Sequence, residues 1–162
     1  MDNIRTRRDL IKEQTYGLAC DPNAGYLFYS VITRPAKIVR TFLDGSNRTE
    51  IVRQGLSLPY ALSVDYEAAR LYWADSHLSK IQYADYNGNN LVTLVSSALV
   101  MPISIAVYKY HLFYVDFRLS SIYKTSKYYS LPPSLLRANL NNVFQIKVSV
   151  ETLLFFYCFR MN

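Results

Sequence analysis

Two aspartates, Asp75 and Asp116, each close a run containing adjacent aromatics, Tyr72-Trp73 and Phe113-Tyr114. Two histidines flank the same runs, His77 after the first and His111 before the second. A carboxylate beside an imidazole can act as acid and base or ligate a metal, and paired aromatics can stack a ligand. Position within the chain decides among these uses. Each aspartate occupies the same place in its own copy of a motif, so the two belong to separate structural units. They are read as structural carboxylates that accept hydrogen bonds from neighbouring backbone. Tyr72, Trp73, Phe113 and Tyr114 are read as core, since consecutive aromatics in one strand fill both faces of a stacked sheet. His77 and His111 fall at opposite ends of their strands and cannot share a metal. No catalytic group and no cofactor is expected.

The remaining candidates bind rather than react. Arg34 and Lys37, then His77 and Lys80, then Arg118 lie in or beside the connection that follows each aromatic run. Brought to one rim, they would form a basic crescent suited to an acidic protein partner; scattered solvated charge is the alternative. Asn47-Arg48-Thr49 fits the N-glycosylation acceptor pattern and lies just past a turn, where exposure is expected. Cys20 and Cys158 are too few for a disulfide framework or a zinc site. Cys20, inside an alternating run, is expected to be a small core residue.

These residues are positioned by a repeat. "YLFYSV" (Tyr26 to Val31), "RLYWAD" (Arg70 to Asp75) and "HLFYVD" (His111 to Asp116) share one character, with Leu27, Leu71 and Leu112 spaced by 44 and 41 residues. Ile38, Ile81 and Ile122 follow in step, and Asp44-Gly45 matches Asn87-Gly88, where the third copy has Tyr128-Tyr129. Ile51-Val52, Leu94-Val95 and Leu135-Leu136 precede Pro59, Pro102 and Val143 by the same seven residues. Each of those positions opens an alternating apolar run, as Thr15 does. Asx-Gly between apolar runs is a hairpin signal, because the turn requires positive φ. Leu71 to Ala74 is continuously apolar, which calls for a sheet covered on both faces. Four strands per period of about 43 residues is the signature of a β-propeller blade. The units are 15–58, 59–101 and 102–142; 1–14 is the end of a preceding blade or an irregular lead-in, and 143–162 is a partial fourth unit with an apolar tail.

Composition agrees with this. The chain has 162 residues, 51% apolar and 15% aromatic, with 15 tyrosines, which suits strands with a core and argues against disorder. Its formal charge of +6 is spread along the chain apart from Arg5, Arg7 and Arg8. A nucleic-acid groove would cluster basic residues among aromatics, so no nucleic-acid partner is expected. "MDNIRTRRDLIKEQ" has no apolar run to serve as a secretory signal, and "LLFFYCF" (Leu153 to Phe159) is far below the roughly 20 residues that span a bilayer.

Leu71-Tyr72-Trp73-Ala74-Asp75, with Pro59-x-x-Leu62-x-Val64-Asp65 before it and an Asx-Gly turn after it, resembles the YWTD (class B) repeat of low-density lipoprotein receptor-related proteins, also found in Wnt co-receptors and nidogen. The resemblance covers about Thr15 to Val148. The first unit departs from it with Val31 in place of the aspartate, and the third lacks the turn glycine, so those blades are expected to be looser or differently tied to their neighbours. The resemblance implies an all-β, six-bladed ring, of which about three complete four-stranded blades and parts of a preceding and a following one are expected here. An incomplete ring leaves apolar blade faces uncovered, with marginal stability or self-association as the consequence. By the same resemblance, the chain is expected to be the extracellular, non-catalytic, protein-binding part of an endocytic or signalling receptor. Its partners would be an extracellular protein ligand, the remaining blades and EGF-like modules. Histidines of such propellers help release ligand on acidification, a role His77 could share, although with two histidines in the chain a plain surface residue is the expected reading. The alternatives are a matrix-assembly protein resembling nidogen and a propeller hydrolase with a metal in its channel. The hydrolase needs acids or amides converging from the inner strands, which instead offer Leu18, Leu62, Val64, Ile105 and Ile146, with Asp21 and Asp65 at their ends.

Overall fold

Alternating apolar residues give each run two faces to bury, and the chain buries them by stacking sheets. The computed structural model describes residues 13–140, 143–148 and 155–158. The first unit forms β1 (Thr15–Asp21), β2 (Tyr26–Val31), β3 (Lys37–Phe42) and β4 (Thr49–Val52). The second forms β5 (Pro59–Asp65), β6 (Arg70–Asp75), β7 (Lys80–Asp85) and β8 (Val92–Val95). The third forms β9 (Pro102–Tyr108), β10 (His111–Asp116), β11 (Ser121–Ser126) and β12 (Ser134–Arg137), and it is followed by β13 (Val143–Lys147) and β14 (Phe155–Cys158). Each group of four is a separate antiparallel sheet in chain order, and among the described residues β13 pairs with β14 as a two-stranded sheet. Because β1, β5, β9 and β13 adjoin one another in turn, the first strand of every sheet is innermost and the fourth outermost. That is the blade arrangement of a propeller. The lead-in expected over 1–14 lies outside the described residues except for Glu13 and Gln14, as does part of the apolar tail.

The continuous apolar run is explained by two covered faces. Leu71, Tyr72, Trp73 and Ala74 are all fully buried. The pleat sends Leu71 and Trp73 toward the first blade, against Phe28, Ile38 and Val52. It sends Tyr72 and Ala74 toward the third, against Ile105, Leu112 and Tyr114. A third cluster joins Phe113, Val115 and Ile122 to Val143 and Ile146.

The turn glycine of the second blade has a second duty. Gly88 has φ 84°, and a Cβ there would run into the Ile51 carbonyl of the outer strand before it. The turn of one blade therefore seats against its predecessor. In the third blade Tyr128-Tyr129 replaces that turn, and the blade is tied differently. The buried Lys127 ammonium lies 2.8 Å from Asp65 of the second blade, and the Tyr72 hydroxyl donates to the Lys127 carbonyl at 2.9 Å. Burial pushes Lys127 toward deprotonation, but its contacts with Asp65 and Tyr128 outweigh that and hold the ammonium above its ordinary range. At the preceding interface the Tyr86 hydroxyl donates to Asp21 at 2.7 Å. Burial pushes the Asp21 carboxyl up, but hydrogen bonds from the Ala24 N–H, the Tyr86 hydroxyl and the Asn23 N–H hold it below the usual carboxylate range. The aspartates ending β1 and β5 thus each fasten to the next blade, whereas β9 ends in Tyr108.

One expectation fails. Cys20 is exposed, not a core residue. It belongs to the face of β1 turned away from the second blade, and its repeat equivalent Val64 is buried only because the first blade lies against it. Leu18 shows the same effect: it is 66% exposed, whereas its equivalents Leu62, Ile105 and Ile146 are 8%, 5% and 2% exposed. Inner-strand burial here depends on the preceding blade, so alternation alone did not predict it for the first strand.

Candidate functional site

Each conserved-in-repeat aspartate is a staple. Asp75 ends β6 and accepts from the backbone N–H groups of Ser57 (2.8 Å), Leu58 (3.1 Å), His77 (3.2 Å) and Leu78 (2.9 Å). Asp116 ends β10 and accepts from those of Val100 (2.7 Å), Met101 (3.1 Å), Arg118 (3.1 Å) and Leu119 (3.2 Å). Each carboxylate joins the segment entering its own blade to the loop between its second and third strands. In the first unit, with Val31 at that position, a backbone bond from Ile32 to the Gln14 carbonyl at 2.9 Å links the corresponding segments.

These staples build one rim. Residues 32–36, 76–79 and 117–120 are its second-to-third-strand loops. The Ser79 hydroxyl donates to the Val100 carbonyl at 2.8 Å, and the Ser76 hydroxyl to that of Pro102 at 2.6 Å, which fixes the second blade's loop against the entry to the third. Arg34, His77 and Arg118 are exposed on these loops, and Lys80 is half-buried at the start of β7. The His77 Nδ1 lies 2.9 Å from the Ser57 hydroxyl. Lys37 is otherwise engaged: its ammonium is 3.0 Å from Glu13 and 2.8 Å from Glu50, which also meet Arg48. These pairs, with Lys37's bond to Glu50 foremost, hold the Lys37 ammonium above its ordinary range. The loop of the first blade is one residue longer than the others: counted back from the third strand Arg34 matches His77 and Arg118, whereas counted from the staple position it matches Leu78 and Leu119.

The rim is also apolar, a feature not expected from its charges. Leu78, Val100, Phe117 and Leu119 are exposed beside the basic residues. Leu78 and Leu119 hold equivalent positions, each with its N–H on a staple. The signal was available, since both follow the aspartate by three residues. His111, at the far end of β10, is near Phe113 and away from this rim. Asp75 and Asp116 are met by backbone donors, Asp21 by Tyr86 and the Asn23 and Ala24 N–H groups, and Asp65 by its ion pair with Lys127, so each buried acid already has a partner. Among the described residues no three His, Cys, Asp or Glu side chains converge as a metal site, and no helix is long and apolar enough to cross a membrane.

Replacing Asp75 with alanine leaves four inward N–H groups without their acceptor and is expected to lower stability by about 3 kcal/mol. Urea denaturation measures the loss. Amide exchange at Ser57, Leu58, His77 and Leu78 is expected to rise more than at the strand amides of β6 and β7.

Stacked four-stranded blades with an aspartate-stapled rim define a β-propeller segment. Its repeats are those of the low-density lipoprotein receptor: the family described as low-density lipoprotein receptor repeat class B matches residues 69–109. The chain is similar to low-density lipoprotein receptor-related protein 5 of Homo sapiens and of Mus musculus, at 31% identity over 117 residues, covering 72% of this chain and 7% of each relative. Among solved structures it is similar to a chain in the crystal structure of a nidogen/laminin complex, with TM-score 0.75 and 24% identity, over 83% of this chain and 52% of that one. It is also similar to virginiamycin B lyase from Staphylococcus aureus, with TM-score 0.69 and 16% identity, over 89% of this chain and 48% of that one. At those identities the two structures establish the propeller fold alone.

Proposed function

We propose that the chain is a non-catalytic protein-binding module of a lipoprotein-receptor-related receptor, displayed outside the cell, whose partner docks on the rim of the second-to-third-strand loops. The observation that carries this reading is the pair of staples. Asp75 and Asp116 fix equivalent loops in register and leave His77, Leu78, Arg118 and Leu119 pointing to solvent on a rigid frame. A preorganised surface of alternating basic and apolar side chains fits a protein segment that interleaves carboxylates with apolar residues. The similarity to receptor-related protein 5 supports the receptor setting, in which further blades and EGF-like modules would complete the binding unit.

The test uses a synthetic peptide alternating leucine and aspartate, with binding followed by fluorescence anisotropy at low and physiological salt. Exposed charges are screened over about 8 Å at physiological ionic strength, so affinity is expected to fall as salt rises. Changing Arg34, His77, Lys80 and Arg118 together to alanine is expected to weaken binding more than tenfold and to flatten the salt dependence. Lys37 is left in place because its charge is already paired. Unchanged affinity and salt dependence in the four-fold variant would refute the rim assignment.

A further inference from the structure

We propose that Asn47 carries an N-linked glycan; this rests on the extracellular placement proposed above but not on the partner. Its sequence pattern is supported by a comparison of repeats. Asn47 and Asn90 occupy the same place after their turns, both in the left-handed region, with φ 51° and 56°. The Asn90 amide is committed, donating to the Asp85 carboxylate at 3.1 Å. In the first blade the position of Asp85 is taken by Phe42, whose aromatic ring offers no carboxylate. Asn47 is exposed. The structural partner has been lost in the one repeat where a hydroxyl residue, Thr49, stands two places on; after Asn90 that place holds Val92.

The surroundings suit a bulky polar group. Arg48, the middle residue of the acceptor triplet, turns aside to the Tyr29 hydroxyl at 3.0 Å and to Glu13 at 3.0 and 3.1 Å. Beside Asn47 the tight turn leaves Phe42 39% and Leu43 51% exposed, an apolar spot that a sugar chain would shield. The turn lies at the end of β3, on the rim opposite the stapled loops, so a glycan there leaves the proposed binding rim open. In the transfer, the Asn47 Nδ2 bonds to the anomeric carbon of a lipid-diphosphate-linked oligosaccharide. The carbon–oxygen bond to the diphosphate breaks, the lipid diphosphate leaves with the electron pair, and one amide proton passes to base.

The experiment gives the full chain a secretory leader, expresses it in eukaryotic cells and measures its intact mass before and after treatment with peptide-N-glycosidase. A chain retained inside the cell is recovered and treated in the same way, since transfer occurs on entry to the pathway. A loss of mass on treatment is expected for the native chain and for Thr49→Ser, and none for Asn47→Gln or Thr49→Ala. Asn90→Gln is expected to keep the modification. An unchanged mass for the native chain, or a glycan persisting in Asn47→Gln, overturns the proposal. The leucine–aspartate peptide is then titrated onto the treated and untreated chains. Equal affinity is expected; loss of binding in the glycosylated chain alone would place the peptide on Asn47's rim, contradicting the stapled-rim reading while leaving the glycan established.

Discussion

Trp73→Ala is expected to lower the unfolding free energy by about 3–5 kcal/mol. Trp73 is fully buried between the first two blades, against Phe28, Ile38, Leu62 and Leu71, and truncation would leave a cavity in the seam. Collapse into that cavity is hindered from two sides. Gly17 packs so closely on Leu62 that even a Cβ would lie 2.8 Å from its Cγ, and Gly88 seats on Ile51, so the backbones already touch. The indole Nε1 has no hydrogen-bond partner among the described residues. Most of the loss is therefore packing, and Trp73→Phe should retain the larger part of it. Urea melts of both variants measure the two losses; a change below about 1 kcal/mol for alanine would show that the seam does not depend on the ring.

Lys127→Met is the second large effect, and it has a different cause. The ammonium and Asp65 are both nearly inaccessible to water, and Glu67, the other acid near Lys127, is mostly exposed. Removing the cation strands a buried carboxylate, which is expected to destabilise the chain by about 3–5 kcal/mol. The double variant Asp65→Asn with Lys127→Met removes the stranded charge and is expected to recover much of the loss. A double variant no more stable than Lys127→Met would show that the effect comes from packing of the methylene stem rather than from the unpaired charge.

The parts that were legible in the sequence are those the repeat writes more than once. Asp75 and Asp116 could be recognised as structural because equivalent placement in separate units leaves each carboxylate to its own backbone. Leu71 to Ala74 read as covered on both faces because no alternation was left to mark a solvent side. The blade latches were not legible, since Asp21 meets a tyrosine and Asp65 a lysine, and a changed donor breaks the repeat signal. Lys37 looked like a free rim cation because its partners, Glu13 and Glu50, come from before β1 and from β4 and are brought together only by folding. Arg34, His77 and Arg118 each stand three residues before their third strand, and the extra residue of the first blade's loop lies on the side of the second strand, which basic residue types alone do not reveal. Cys20 was misplaced because burial of an inner strand comes from its neighbour, a property its own alternation does not encode.

Hydrogen–deuterium exchange of the chain with and without the leucine–aspartate peptide tests the central claim most directly, because it reads both rims at once. Binding at the stapled rim is expected to slow exchange in 76–79, 99–101 and 117–120 and to leave 42–48, 86–91 and 127–133 unchanged. Protection confined to the second set, with the loops beside Asp75 and Asp116 exchanging as in the free chain, would contradict it.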